Sequence, residues 1–186
     1  MYDPAVVAAQ LNLLDSHDTP RFITMASGDV ASFRLATLIQ MTVPGAPSIY
    51  YGDEIGLPGG FDPDCRRSFP WDRPDAWDRD LLAFVSTTAA LRHASPVLRH
   101  GAFRVLGASG KAMAYLRSDD ATAMVVAINA GPAPVRLVVD VPELGERLPA
   151  DVMLPGFEAG PAVARTDGRV EIEIPGRAGR VLKSEA

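Results

Sequence analysis

An α/β segment followed by an all-β segment is the fold class this sequence predicts, and three observations carry it. Two short apolar runs, Gln10 to Leu14 and Ala46 to Tyr51, each end in acidic residues, and each leads on to a stretch of helical periodicity. Strand, helix, strand, helix with acids after each strand is the pattern of parallel βα units, whose ligands bind beyond the C-terminal ends of the strands. From Ala102 onward helical periodicity disappears, and strand-like runs alternate with Gly, Pro and Asp turns, which predicts a small antiparallel β-sandwich.

Taken in order, Pro4 to Ala9 reads as the end of a helix and Gln10 to Leu14 as a short strand that runs into the charged turn DSHDTPR. A Ser-Gly-Asp capping signal opens a helix over Ser27 to Val43, in which Phe33, Leu35, Leu38, Ile39 and Met41 recur near helical spacing; Pro44-Gly45 stops it. Ala46 to Tyr51 is the second strand, ending in Asp53 and Glu54. A Gly-, Pro- and Asp-rich loop then runs to about Asp75, long enough to suggest function rather than connection alone. Trp77 to His93 is the next helix, with Leu81, Leu82, Phe84, Val85 and Leu91 as its apolar face, ended by Ser95-Pro96. Beyond it, FRVL, AMAYLR, TAMVVAIN, VRLVVDV, DVML and RVEIEI read as strands; SDD and TDG read as turns, and Asn129 to Pro134 as a hairpin turn. The boundary between the two segments falls near Pro96 to Gly101, giving 1–98 and 102–186.

Composition narrows the function classes. With 47% hydrophobic residues the chain can fill a core, and a net charge of −5, with both signs spread along it, leaves no basic stripe for a nucleic-acid backbone. The one cysteine, Cys65, has no internal disulfide partner. The start lacks a signal-peptide pattern, and no run of about 18 apolar residues is present to span a bilayer. These features predict no membrane association and a cytoplasmic protein, though a truncated start would hide an export signal.

The chemistry concentrates in two stretches. In LNLLDSHDTPRF, strand alternation would put Asp15 and His17 on one face with Asp18 at the rim. An ordinary strand end with a solvated turn explains such a stretch as readily. A metal needs further ligands at a recognised spacing, and none follows, so neither metal nor cofactor is expected. A carboxylate beside an imidazole suits different chemistry, in which the two grip a neutral polyhydroxy substrate while the carboxylate opposes developing positive charge. In GAPSIYYGDEIGLPGGFDPDCRRSFPWD, aromatic faces (Tyr50, Tyr51, Phe61, Phe69, Trp71) stand among Asp53, Glu54, Asp62, Asp64, Arg66 and Arg67, the ingredients of a carbohydrate site. The plainer reading, an aromatic-stapled loop held by Asp–Arg pairs, is the better one for the aromatics themselves, which more often pack than bind.

Together and in this order, separated by one helix, NLLDSHDTPRF and GAPSIYYGDEIGLPGGFDPDCRRSFPWD resemble the end of the catalytic barrel of the alpha-amylase family, glycoside hydrolase family 13, in its neopullulanase, cyclomaltodextrinase and maltogenic amylase branch. The resemblance covers about Gln10 to Leu98; after Ala102 it holds only in kind. It implies the last two βα units of a TIM (β/α)8 barrel followed by an antiparallel β-sandwich, and an α-glucan or maltooligosaccharide substrate. By the same resemblance, Asp18 is the carboxylate that stabilises the transition state without covalent attachment. His17 is the histidine that hydrogen-bonds the sugar at the cleavage site, and Asp62 and Arg66 are the pair that holds the next sugar. Tyr51, Asp53 and Glu54 take scaffold roles. Cys65 and Ser68-Phe69 depart from the family's commonest loop wording.

The family's nucleophilic aspartate and acid/base glutamate lie on earlier strands, and no stretch here matches either. The reading is therefore the C-terminal portion of a retaining α-glucosidic hydrolase, inactive as this chain alone, which self-associates or joins a missing N-terminal barrel portion. Two alternatives stand beside it: a non-catalytic carbohydrate-binding or interaction module, and a catalytically silent partner subunit.

Overall fold

In a computed structural model that describes residues 2–144, 148–158, 160–161, 163–166 and 169–185, a short helix α1 (Pro4–Ala8) leads into β1 (Leu11–Leu13), and the one-turn helix α2 (Phe22–Met25) precedes the longer α3 (Val30–Thr42). The acidic signal before α3 acts as expected: Asp29 is its N-cap, accepting from the Ser32 amide (3.3 Å) and hydroxyl (2.9 Å). β2 (Ala46–Ser48) then lies parallel to β1, Leu11 opposite Ala46 and Leu13 opposite Ser48. Gln40 of α3 is buried, and its amide nitrogen donates to Asn12 O (3.0 Å) and Ser48 O (2.8 Å), so one side chain fixes the helix to both strands. Gly45 is required between them: it has φ +100°, and a Cβ there would lie 2.8 Å from Gln10 O.

The long loop carries three single 3-10 turns, Asp53–Ile55, Asp64–Arg66 and Pro74–Ala76, before α4 (Arg79–Ala94), whose N-cap is Asp78. Ser95-Pro96 does end that helix, and Pro96 also begins α5 (Pro96–His100) at the position where its missing N–H costs nothing.

The remaining strands form two antiparallel sheets. The larger has the order β3 (Ala102–Ser109), β4 (Ala112–Ser118), β5 (Thr122–Asn129), β10 (Ala178–Glu185), β7 (Ala150–Asp151), and the smaller the order β6 (Val135–Val139), β9 (Arg169–Ile174), β8 (Ala164–Thr166). Sequence pattern misses β10 altogether, although it pairs with β5 along its whole length. Its run is broken by Gly179, Arg180 and Lys183. Arg180 is nevertheless buried, with its fork closed on the Asp151 carboxylate at 2.9 and 2.6 Å. The expected strand DVML shrinks to Ala150–Asp151, because Pro155-Gly156 turns the chain. Asn129–Pro134 is not a hairpin turn. It carries the chain from the larger sheet to the smaller one, and Asn129 stabilises the crossing by donating to Ala133 O (2.8 Å) and Pro175 O (3.1 Å). SDD does close the β4–β5 hairpin. The tip of the TDG turn lies outside the described residues, although Thr166 and Arg169 on either side of it are paired.

The central strands of the larger sheet bury both faces. Tyr115, Met124, Val126 and Ile128 pack with Phe33, Leu38, Leu81 and Phe84 of the helices. The alternate residues Ala114, Leu116, Val125 and Ala127 pack with Leu137, Val170, Ile172 and Ile174 of the smaller sheet. Continuous apolar runs such as TAMVVAI are what a doubly buried strand needs. Two buried cations cross the first of these cores. Arg92 donates to Met41 O (2.8 Å), Val43 O (3.2 Å) and Gly45 O. Arg117 donates to Thr42 O (2.6 Å), Leu98 O (2.8 Å), Gly101 O (2.9 Å) and Ala102 O (3.2 Å). Burial lowers the pKa of Arg117 to about 10.

Removing Arg117 would strand the buried Thr42 and Leu98 carbonyls and release two part-buried ones, so Arg117→Ala should cost about 3 kcal/mol or more in urea denaturation. Arg136, a rim cation paired with Glu171 and Glu173 across the smaller sheet, should cost under about 1 kcal/mol when changed to Ala. Equal losses would mean that the Arg117 bonds do not hold the two segments together.

Candidate functional site

The strand β1 ends at Leu13, so alternation does not continue into the charged turn, and Asp15 and His17 do not share a face as strand spacing predicted. Asp15 turns inward and is buried, while the His17 side chain is 63% exposed. Asp18 is 76% exposed, beside His17, with His17 Nε2 3.4 Å from Asp18 Oδ2. The turn is held locally: Ser16 N–H donates to Thr19 Oγ1 (3.0 Å) and Asp18 N–H to Ser16 Oγ (3.2 Å). An exposed carboxylate with one imidazole neighbour remains available to a ligand cation or hydroxyl.

Across from it, Asp62 and Arg66 are brought together as an ion pair, one 3-10 turn apart. Arg67 closes a second pair on Asp64 (2.7 Å); that hydrogen bond and the Gly60 amide hold the Asp64 carboxyl below its ordinary range. The two halves meet through Cys65, which is fully buried and whose Sγ lies 3.1 Å from His17 O. Sequence reading assigned Cys65 no role. Its signal was only its departure from the expected loop wording.

Beneath lies a framework of buried charge. Arg21 is fully buried, and its Nη1 donates to Tyr51 O (2.7 Å) and Asp53 Oδ1 (3.0 Å) and its Nε to Cys65 O (3.0 Å). Its guanidinium carbon stands 4.0 Å from the Tyr50 ring centre and 4.8 Å from that of Tyr51. Asp15 accepts from the Phe22 amide through Oδ2 (2.6 Å), while its Oδ1 has no donor among the described groups. Burial, then the neighbouring Asp15 carboxylate, pushes the Asp53 pKa up to about 8 against the opposing pull of Arg21. With Asp53 protonated, one acidic charge is removed from this buried cluster. One arginine between two carboxyl groups is then electrically balanced.

The aromatics divide as the plainer reading held. Tyr50 and Tyr51 pack on Arg21, and Phe69, Trp71 and Trp77 pack on one another with centroids 4.2 to 5.9 Å apart. Trp77 Nε1 donates to Pro70 O (3.1 Å), stapling the loop. Phe61 and Trp71 remain exposed. Among the described residues no three His, Cys, Asp or Glu side chains gather as a metal site, and no helix is long and apolar enough to cross a membrane. His17, Asp18, Asp62 and Arg66 sit on an open ledge. A depression of about 550 Å³ between Ile55–Pro58 and Arg67–Ala76 includes none of them in its wall.

Residues 4–77 match the family described as "Alpha amylase, catalytic domain". The chain is 49% identical over 120 residues to a cyclomaltodextrinase of Bacillus sp, covering 63% of this chain and 21% of that protein. It is 35% identical over 184 residues to neopullulanase 2 of Thermoactinomyces vulgaris, covering 98% of this chain and 30% of that protein. Among solved structures it resembles the debranching enzyme of Nostoc punctiforme, with 38% identity and a TM-score of 0.85 over 98% of this chain and 37% of that one. The chain thus spans about a fifth to two fifths of these relatives.

The buried carboxyl pair has a measurable consequence. The folded-state pKa of Asp53, about 8, lies above its ordinary 3.8, so across that window the folded protein holds a proton that the unfolded chain releases. Its contribution to stability is complete below about pH 4 and lost as pH rises through 8. Relative to Asp53→Asn, the stability of the natural protein should fall between those limits by up to roughly 1 kcal/mol per pH unit, then level off. Urea denaturation across the pH series measures this; a flat difference would mean that Asp53 stays ionised.

Proposed function

We propose that the chain, whose residues 4–77 match the alpha-amylase catalytic-domain family, is the C-terminal portion of a retaining glycoside hydrolase acting on α-glucosidic bonds of maltooligosaccharides, cyclodextrins or pullulan. In this reading residues 1–98 are the last two βα units of a (β/α)8 barrel, and 102–186 are its C-terminal β-sandwich domain. Asp18 opposes the positive charge that grows on the sugar as the glycosidic bond breaks, His17 hydrogen-bonds the same sugar, and Asp62 with Arg66 grips the next one. The nucleophile and the proton donor come from polypeptide outside these 186 residues, and the chain alone is inactive.

The observation that carries the reading is the meeting, through Cys65, of two exposed polar pairs, His17–Asp18 and Asp62–Arg66, beyond the C-terminal ends of β1 and β2. A chain of pyranose rings offers many hydroxyls and no net charge, which suits a ledge where each acid already has a hydrogen-bonding neighbour. Leu11 and Leu13 are exposed, and β1 and β2 have only each other as strand neighbours among the described residues. These free edges are where self-association or a further barrel segment adds strands. The open ledge also favours a second reading, a carbohydrate-binding module without catalysis.

Assays of the 186-residue chain on maltotriose, cyclodextrin and pullulan should show no turnover; turnover abolished by Asp18→Ala would overturn that. In an enzyme where this chain completes the barrel, Asp18→Asn should lower kcat about a hundred- to a thousandfold, because it removes charge needed only in the transition state. Arg66→Ala should mainly raise KM, because it removes binding present throughout the reaction. A near-normal kcat in Asp18→Asn would leave only the binding-module reading.

A further inference from the structure

The catalytic reading needs the Asp18 turn and the Asp62–Arg66 loop to stay in register, yet both are irregular, exposed segments. Local bonds do not ensure it. Ser16, Thr19 and the Asp62–Arg66 pair each stabilise their own segment, and at His17 itself the tie to the loop is the weak Cys65 Sγ to His17 O contact.

Beneath that link, Arg21 closes the turn that carries His17 and Asp18. Its own amide donates to Gly59 O (2.9 Å), at the start of the loop. Its side chain reaches Cys65 O (3.0 Å), between Asp62 and Arg66 on one side and the His17 backbone on the other. Its other arm is fixed by Tyr51 O and Asp53, and its faces are covered by Tyr50 and Tyr51. The packing around it leaves no slack: a Cβ on Gly59 would stand 2.7 Å from Asp64 O, 2.9 Å from Cys65 Cα and 3.1 Å from Arg21 Cγ. A second tie, Gly59 N–H to Thr24 Oγ1 (2.9 Å), enters from α2. The guanidinium holds two backbone segments, at Cys65 through Nε and at Tyr51 through Nη1, and Nη1 also holds Asp53, while Nη2 has no partner among the described groups; a lysine point charge lacks the fixed fork that spans Nε and Nη1.

We propose that Arg21 is a positioning residue that locks the His17–Asp18 turn to the Asp62–Arg66 loop through the Cys65 backbone, and so sets the spacing of the two sugar-contacting pairs. The inference rests on the reading of those four residues as sugar contacts. Arg21 itself touches no substrate and carries no step of the chemistry.

Cys65, the one cysteine of the chain and fully buried at this junction, reports the lock without any ligand. In the natural protein an aromatic disulfide reagent should reach it only as fast as global unfolding allows, with the rate climbing along the global urea slope. Arg21→Lys should accelerate labelling about ten- to a hundredfold, the weight of one hydrogen bond to a charged group, through a local opening whose rate is flat in low urea. In NMR spectra of the same variant the His17 imidazole should shift and broaden while His93 and His100 stay in place. A labelling gain that matches the variant's loss of global stability, or histidine signals that all move together, would overturn the proposal. So would a natural protein whose Cys65 already labels through a urea-independent route, a result that holds even if Arg21→Lys fails to fold. Excess maltotriose should slow labelling in both proteins. Acceleration by Arg21→Lys without any protection by maltotriose would refute the sugar reading and leave the lock standing.

Discussion

A sheet that must bury both faces governs this molecule. Once β4, β5 and β10 present apolar residues on alternate sides, helices have to cover one face and a second sheet the other. The helical face is served by α3 and α4, and α3 in turn holds β1 and β2 through Gln40. The position of the two parallel strand ends, and so of the His17–Asp18 turn, is therefore set by packing against strands that come much later in the chain. Gly179 shows how close that fit is: a Cβ there would stand 2.5 Å from the Leu38 methyl of α3.

Charge enters this core under strict terms. Arg92 and Arg117 are buried without an ion pair among the described residues, and carbonyls at the ends of α3 and α5 take the place of a counterion. Those carbonyls are the orphan acceptors of the helix C-termini, where the helix dipole is negative, so each guanidinium meets several unsatisfied groups at once. Arg21 and Arg180 use carboxylates as well as carbonyls. A carbonyl cage fixes backbone to backbone, which suits a seam between segments. A carboxyl partner adds sensitivity to protons, and under the ledge that partner is Asp53.

Much of this was legible in the sequence, for identifiable reasons. Helical spacing with a Ser-Gly-Asp capping signal gave α3 to within three residues, apolar spacing alone gave α4 to within two, and alternation in AMAYLR and RVEIEI gave their strands. What escaped was decided by distant partners. Arg180 makes β10 look like a loop until Asp151, 29 residues earlier in the chain, closes on it. Asn129–Pro134 has the composition of a hairpin turn but changes sheets, since turn residues specify a reversal and not which strand follows. The resemblance named His17, Asp18, Asp62 and Arg66 as sugar contacts; in the structure His17 stands beside Asp18, and Asp62 and Arg66 form an ion pair. The roles of Arg21 and Cys65 were not visible, because their bonds run to backbone atoms of other segments, which no residue pattern records. An arginine flanked by a charged turn and followed by two adjacent tyrosines was the available hint.

On the proposed reading, this ledge holds consecutive sugar rings of an α-glucan. A crystal structure of the chain with maltotetraose should show one ring hydrogen-bonded to His17 and Asp18, with the neighbouring ring bonded to Asp62 and Arg66 and the backbone of both segments unmoved. Sugar bound only against Trp71 and Phe61, or a ledge left empty at saturating ligand with the Asp62–Arg66 pair intact, would contradict it.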